Sequence, residues 1–194
     1  MLQDKPVSNL EFLQGGGEMG ALMRSLDFST TPLGPASEWP QSLRSAVSIC
    51  LNSRFPIVLY WGPQFISLYK DAYIPILGSK HPWALGQPFE VVWADIWDIL
   101  GSVLRRVFET GVPSWAEDQP LIMQRFGYPE EVYFTFSFGA GRDERGDVGG
   151  IFCAVTETTQ RVLHERRLVL LKELTADART TPEAARLMAL PLFL

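Results

Sequence analysis

The stretch Glu131-Val132-Tyr133-Phe134-Thr135-Phe136-Ser137-Phe138-Gly139 decides the fold. Val132, Phe134, Phe136 and Phe138 alternate with Tyr133, Thr135 and Ser137, the period of two that sends successive side chains to opposite sides of a β-strand. One side of this strand is wholly apolar and large, so it must lie against a core. Downstream, residues 139–147 (Gly-Ala-Gly-Arg-Asp-Glu-Arg-Gly-Asp) predict a turn, and residues 148–156 predict a second strand. Upstream, residues 114–125 predict a third strand, preceded by a helix over residues 93–110. In that helix Trp93, Ile96, Trp97, Leu100, Val103, Leu104, Val107 and Phe108 form one apolar face. Asp95 and Asp98 near its start, with Arg105 and Arg106 toward its end, suit the helix dipole, and Gly111 is placed to end it.

Closer to the N-terminus, residues 55–61 predict a buried strand that ends at Gly62-Pro63, and residues 64–69 a second strand, so the pair reads as a hairpin. A short helix over residues 71–77 stops at Gly78, and Pro82, Gly86 and Pro88 then leave room only for turns. The order is strand, strand, short helices, long helix, three strands. It argues for an α+β fold: one five-stranded antiparallel sheet with its helices on one face.

Ahead of this unit, residues 18–26 predict a short helix with Met19, Leu22, Met23 and Leu26 on one side. A proline-rich loop over residues 29–40 leads to a second helix, opened at Ser37 or Pro40, with Leu43, Ala46, Val47, Cys50 and Leu51 as its apolar stripe. After it, Thr158 or Thr159 can cap a last helix running to about residue 178. There Leu163, Leu170, Leu174 and Ala178 share a narrow stripe interrupted by Arg167. Such a stripe suits a short parallel coiled coil in a homodimer, or a docking helix, in preference to a helix folded back on its own sheet.

Composition limits the function classes. The 194 residues carry 17 Lys and Arg against 22 Asp and Glu, a net charge of −5, with no long basic run. That balance argues against nucleic acid and anionic membrane surfaces as partners. No apolar run approaches the ~20 residues that span a bilayer, and no basic segment precedes an apolar one at Met1-Leu2-Gln3-Asp4-Lys5, so a cytoplasmic location is expected. Cys50 and Cys153 sit in apolar runs and read as buried thiols. No cluster of metal-ligand spacing is present, and His81 alone is a weak metal or haem ligand. His164, on the last helix, reads as a solvated or interface residue. A flavin photosensor would need a reactive cysteine in residues 71–92, and none is there. Glu117-Asp118 and Glu130-Glu131 are neighbours whose side chains would point to opposite faces of a strand.

Several passages resemble the PAS family. Trp61-Gly62-Pro63 followed by Leu68-Tyr69-Lys70-Asp71-Ala72-Tyr73 is similar to the family's first hairpin and helix. Leu77-Gly78-Ser79-Lys80-His81-Pro82-Trp83-Ala84-Leu85-Gly86-Gln87-Pro88 is similar to the glycine-bounded passage before the long helix. Arg142-Asp143-Glu144-Arg145-Gly146-Asp147-Val148-Gly149-Gly150 is similar to the turn into the last strand, and Val155-Thr156-Glu157-Thr158-Thr159 to the Asp-Ile-Thr junction with the output helix. The resemblance covers about residues 40–175 and is closest to the N-terminal PAS domains of bacterial sensor histidine kinases. Thr181-Pro182-Glu183-Ala184-Ala185 looks like the start of a following segment. Three positions depart from the pattern: Lys70 for Asn, Gly139-Ala140-Gly141 for a Ser-Pro-Ile type of turn, and Glu157 for Asp.

The resemblance implies a PAS domain over residues 40–158, an N-terminal extension over 1–39, a signalling helix over 159–180, and the start of a linker or following segment over 181–194. It implies a sensory module of a two-component system that relays a small-molecule or protein signal to a GAF- or kinase-type effector. Kinase motifs are absent, so no catalytic residue is implied, and no cofactor is required. Leu59, Phe134 and Phe136, or their neighbours, would face Trp93, Trp97 and Leu100 around a ligand pocket or a filled core. Thr156, Glu157 and Thr158 would form the signal relay, with Glu157 on a basic or donor group. Two alternatives stand beside this: a ligand-free homodimerisation module, and a small α+β enzyme in which His81 pairs with Asp71 or Asp95.

Overall fold

The alternating stretch lies in the middle of a longer strand. The computed structural model describes residues 10–180. Its strands are β1 (Ile57–Trp61), β2 (Ile66–Tyr69), β3 (Ser114–Gln124), β4 (Pro129–Arg142) and β5 (Val148–Glu157). They form one antiparallel sheet in the order β2-β1-β5-β4-β3. The helices are α1 (Gly17–Ser25), α2 (Gln41–Asn52), α3 (Ile74–Leu77), α4 (Phe89–Val92), α5 (Trp97–Thr110) and α6 (Thr159–Thr180). The chain divides into one unit ending at Glu157 and a second beginning at Thr158. Residues 181–185 and the side chain of Ala178 lie outside the described residues.

The α+β class and the five-stranded antiparallel sheet are as expected. The connection from β2 to β3 carries α3, α4 and α5, and α5 packs against β4 and β5. Because side chains alternate along a strand, Tyr60 of β1, Phe134, Phe136 and Phe138 of β4, and Cys153 and Val155 of β5 share the face toward α5. Ile57, Leu59 and Trp61 take the other face, where α2 approaches β1 and the Cys50 thiol lies 3.6 Å from the Ile57 carbonyl. Both N-terminal helices are capped by carboxylates from distant parts of the chain. Asp71 accepts from the Glu18 and Met19 amides (3.1 and 2.8 Å), and Glu144 from the Ser42 amide (2.7 Å). These bonds satisfy N–H groups that a helix cannot pair internally. The Ser42 amide is also the main cause holding the Glu144 carboxyl below its usual range.

Two expected boundaries move. The helix expected over residues 93–110 is broken. A turn over 93–96 separates α4 from α5, with Ile96 at φ −124° and ψ 8°. Asp95 is drawn out of the helix, accepting from Lys80 Nζ (3.2 Å) and the Gln124 amide (2.6 Å). The turn expected over residues 139–147 shrinks to 143–147, where the Asp143 carboxylate accepts from the Arg145 and Asp147 amides (2.9 and 3.0 Å). Gly139, Ala140 and Gly141 belong to β4 and pair with β5. The smallness of Gly141, and of Gly149 and Gly150 on β5, serves Trp61, whose ring lies over this part of the sheet. A Cβ on Gly150 would fall 2.4 Å from Trp61 Cε3 and 3.0 Å from the Tyr60 carbonyl oxygen. Gly150→Val is therefore expected to cost about 1–3 kcal/mol by overpacking, read as a lower urea midpoint with an unchanged slope.

Candidate ligand cavity and relay junction

Between the inner sheet face and α4–α5 lies a cavity of about 40 Å³. Apolar side chains, among them Ile76, Phe89, Ile96, Leu100, Met123 and Phe136, make most of its wall. Its polar atoms come from Tyr60, Tyr73, Trp93 and Cys153. The Tyr60 and Tyr73 hydroxyls are 3.1 Å apart and buried together. Burial is the first cause that pushes both phenols, and the Cys153 thiol, well above their ordinary ranges. Every wall group therefore stays uncharged near neutral pH. The volume holds a few waters, each needing about 10–15 Å³ by this measure. It is far below the roughly 300–1,000 Å³ of sites for drug-sized ligands, so a haem or flavin ring does not fit it as it stands.

Phe134, Phe136, Trp93 and Leu100 line this cavity, but two expected residues do not. Leu59 is buried on the opposite face of β1, paired with Phe152 and Leu68, and its neighbour Tyr60 takes the inner position. All five residues of β1 are buried, so alternation of polarity gave no phase for this strand. Trp97 turns along its own helix over Gly101, where a Cβ would stand 2.8 Å from its ring. Arg105 stacks above it at 4.7 Å, and together with Phe65 and Phe108 it lines a surface groove instead. The turn at residues 93–96 sets that change of face.

At the far end of β5, Glu157 meets Arg125. Arg125 Nη1 donates to Glu157 Oε2 (2.8 Å), Nη2 to Oε1 (3.4 Å), and Nε to Glu130 Oε2 (3.1 Å). Arg125 is 6% exposed. Burial alone would lower its proton affinity; the bonds to Glu157 and Glu130 outweigh that, and the net shift is upward. Arg125 was not singled out by sequence. Its one signal is a charged residue closing a strand whose inner positions are apolar. Thr156 pairs with Thr135 across the β4–β5 ladder. Thr158 opens the second unit, where the Val162 amide donates to its carbonyl (3.0 Å).

Along α6, Leu170 and Leu174 are 58% and 65% exposed, and Leu163 is half-buried. His81 bonds neither Asp71 nor Asp95. Its partners are Glu18 (3.1 Å) and the Tyr69 hydroxyl (3.1 Å), so the Asp–His dyad weighed above is not assembled. The Glu117-Asp118 pair lies in a bulge of β3, with Asp118 at φ +48°, and not in regular strand. Among the described residues no group of three His, Cys, Asp or Glu could hold a metal ion, and no helix is long and apolar enough to cross a membrane.

No protein-family model and no curated protein matches the chain. Among solved structures it is similar to an RNA-binding light-oxygen-voltage receptor, at 17% identity and a TM-score of 0.48, over 67% of this chain and 36% of that one. It is also similar to a sensory box sensor histidine kinase from Vibrio cholerae, at 11% identity and a TM-score of 0.43, over 53% of this chain and 81% of that one. A third is the PAS domain of Bordetella pertussis BvgS, at 19% identity and a TM-score of 0.41, over 69% of this chain and 99% of that one. Strand order, the helical crossover from β2 to β3 and the resemblance of individual passages agree: this chain has the five-stranded antiparallel α+β fold of PAS domains.

Proposed function

We propose that this chain is a sensory module that converts occupancy or reshaping of the inner cavity into a movement at Glu157, and passes it through α6 to a histidine kinase-type effector. The observation that carries this reading is an unbroken series of contacts from the cavity to the end of β5. Trp93 forms cavity wall, and Lys80 Nζ sits 4.4 Å over its ring. Lys80 pairs with Asp95 (3.2 Å), and Asp95 accepts from the Gln124 amide (2.6 Å). Arg125, next in the chain, grips Glu157. Such a series can relay a signal only if a ligand favours one of two arrangements of it.

The wall chemistry sets the ligand class. A cavity without charged groups excludes ions, whose desolvation would go uncompensated. It suits a small neutral molecule, mostly apolar, with one hydrogen-bonding group for the Tyr60–Tyr73 pair. Native mass spectrometry of the purified chain tests this. A retained small molecule, or a melting temperature raised by neutral ligands and not by charged ones, is the expected result; a bare protein indifferent to both would overturn ligand sensing. In a receptor carrying its effector, Glu157→Ala is expected to uncouple output while leaving the fold intact, and an unchanged response would overturn the relay.

A second reading is homodimerisation without a ligand. It is favoured by the stripe of half-buried Leu163 and exposed Leu170 and Leu174, which in a parallel coiled coil would meet its own copy. A dimer that Leu170→Glu dissolves, and that carries no small molecule, would favour it.

A further inference from the structure

One imidazole ties the N-terminal helix to the sheet. The side chain of His81 is 14% exposed, with Nε2 3.1 Å from Glu18 Oε1 of α1 and Nδ1 3.1 Å from the Tyr69 hydroxyl of β2. The same hydroxyl lies 3.4 Å from the Pro82 carbonyl. Burial first, and the Glu18 charge second, push the Tyr69 phenol upward, so it remains a hydroxyl in the neutral range. A hydroxyl can donate or accept, and this one has a partner for each case. With His81 neutral, Tyr69 donates to Nδ1 while Nε2–H donates to Glu18. With His81 protonated, Nδ1–H donates to the Tyr69 oxygen, and Tyr69 turns its own proton to the Pro82 carbonyl. The Glu18 contact then becomes an ion pair. Both states are satisfied, but only the protonated one sets opposite charges across the α1–sheet junction.

We propose that His81 is a proton-responsive clasp that holds α1 to the sheet more tightly when charged, a pH input that does not depend on the cavity taking a ligand. The titratable groups on the elements around it are engaged elsewhere. Asp71 caps α1, Lys80 bonds Asp95 and the Val92 carbonyl, Arg24 donates to the Leu13 carbonyl, and Tyr73 pairs with Tyr60. Glu18 is thus the carboxylate that faces the ring. The sign follows from the partners: the ion pair to Glu18 exists only while the ring carries its second proton, so the clasp loosens when that proton is lost. The clasp also touches the cavity wall, since the Tyr69 and Tyr73 rings are 5.9 Å apart.

Hydrogen exchange of the α1 amides at pH 5.5 and pH 8, corrected for intrinsic rates, tests the clasp in the whole chain. Protection is expected to fall about three-fold toward pH 8, the scale of one partly exposed ion pair. In Glu18→Gln the acceptor stays and the charge goes, so the pH dependence should vanish. His81→Gln should do the same. Glu18 is 68% exposed, so its variant keeps the fold even if the substitution at His81 disturbs the turn. A pH dependence that survives in Glu18→Gln, or protection that rises with pH in the parent chain, overturns the proposal.

Discussion

Trp93→Ala is expected to lower the free energy of unfolding by about 3–5 kcal/mol, the usual range for deleting a buried aromatic. Trp93 is 2% exposed and stands on the turn between α4 and α5. Its loss would enlarge a cavity that already exists, which limits the collapse that softens such substitutions elsewhere. It would also remove the ring beneath the Lys80 ammonium, a contact on the order of 0.5–2 kcal/mol. Urea denaturation measures the total. Trp93→Phe keeps a ring at the site and should retain more than half of the stability lost by alanine. A loss under about 1 kcal/mol for the alanine variant would mean that the cavity wall is supported from elsewhere.

Arg125→Ala carries the second large effect, about 2–3 kcal/mol. Breaking a fully buried ion pair costs roughly 3–5 kcal/mol; the figure here is smaller because the Glu157 side chain is 34% exposed and keeps part of its hydration. Without the guanidinium, Glu130 and Glu157 would both lose the bonds that Arg125 gives them. The Arg125 backbone would stay anchored, because its carbonyl accepts from the Ser79 amide and hydroxyl (2.8 and 2.6 Å). Loss is therefore expected at the junction and not throughout β3. Arg125→Lys keeps the charge but not the planar fork, so it should recover only part of the stability. Equal stability of the lysine and parent proteins would show that a point charge is enough and that bidentate geometry plays no part.

Helix α5, β4 and the hairpins could be read from sequence because each has one dry face and one wet face, or a turn signal at its end. Period two put Phe134 and Phe136 on one face of β4, and the resemblance put them, or their neighbours, on the inner side. Gly139 and Gly141 misled, since glycine reads as a turn locally, while here both pair within the sheet and Gly141 makes room for the ring of Trp61. The break at residues 93–96 had no local signal. Trp93 and Ile96 keep helical spacing, and what interrupts the helix is Asp95 bonding Lys80 and Gln124, from the loop after α3 and the end of β3.

Sequence by itself determined the element order, and with it the antiparallel α+β class, the alternation along β4 and the narrow apolar stripe on α6. These follow from periodicity over a few residues, where each side chain's environment is set by its neighbours. Tertiary structure alone decided that Tyr60 and not Leu59 meets the cavity, that Trp97 leaves it, and that Glu157 finds Arg125, 32 residues away. A strand buried on both faces has no polarity pattern to set its phase. Nor does a long-range ion pair leave a trace in local spacing, because its partner is chosen by sheet register and by the path of the turns that bring the two side chains together.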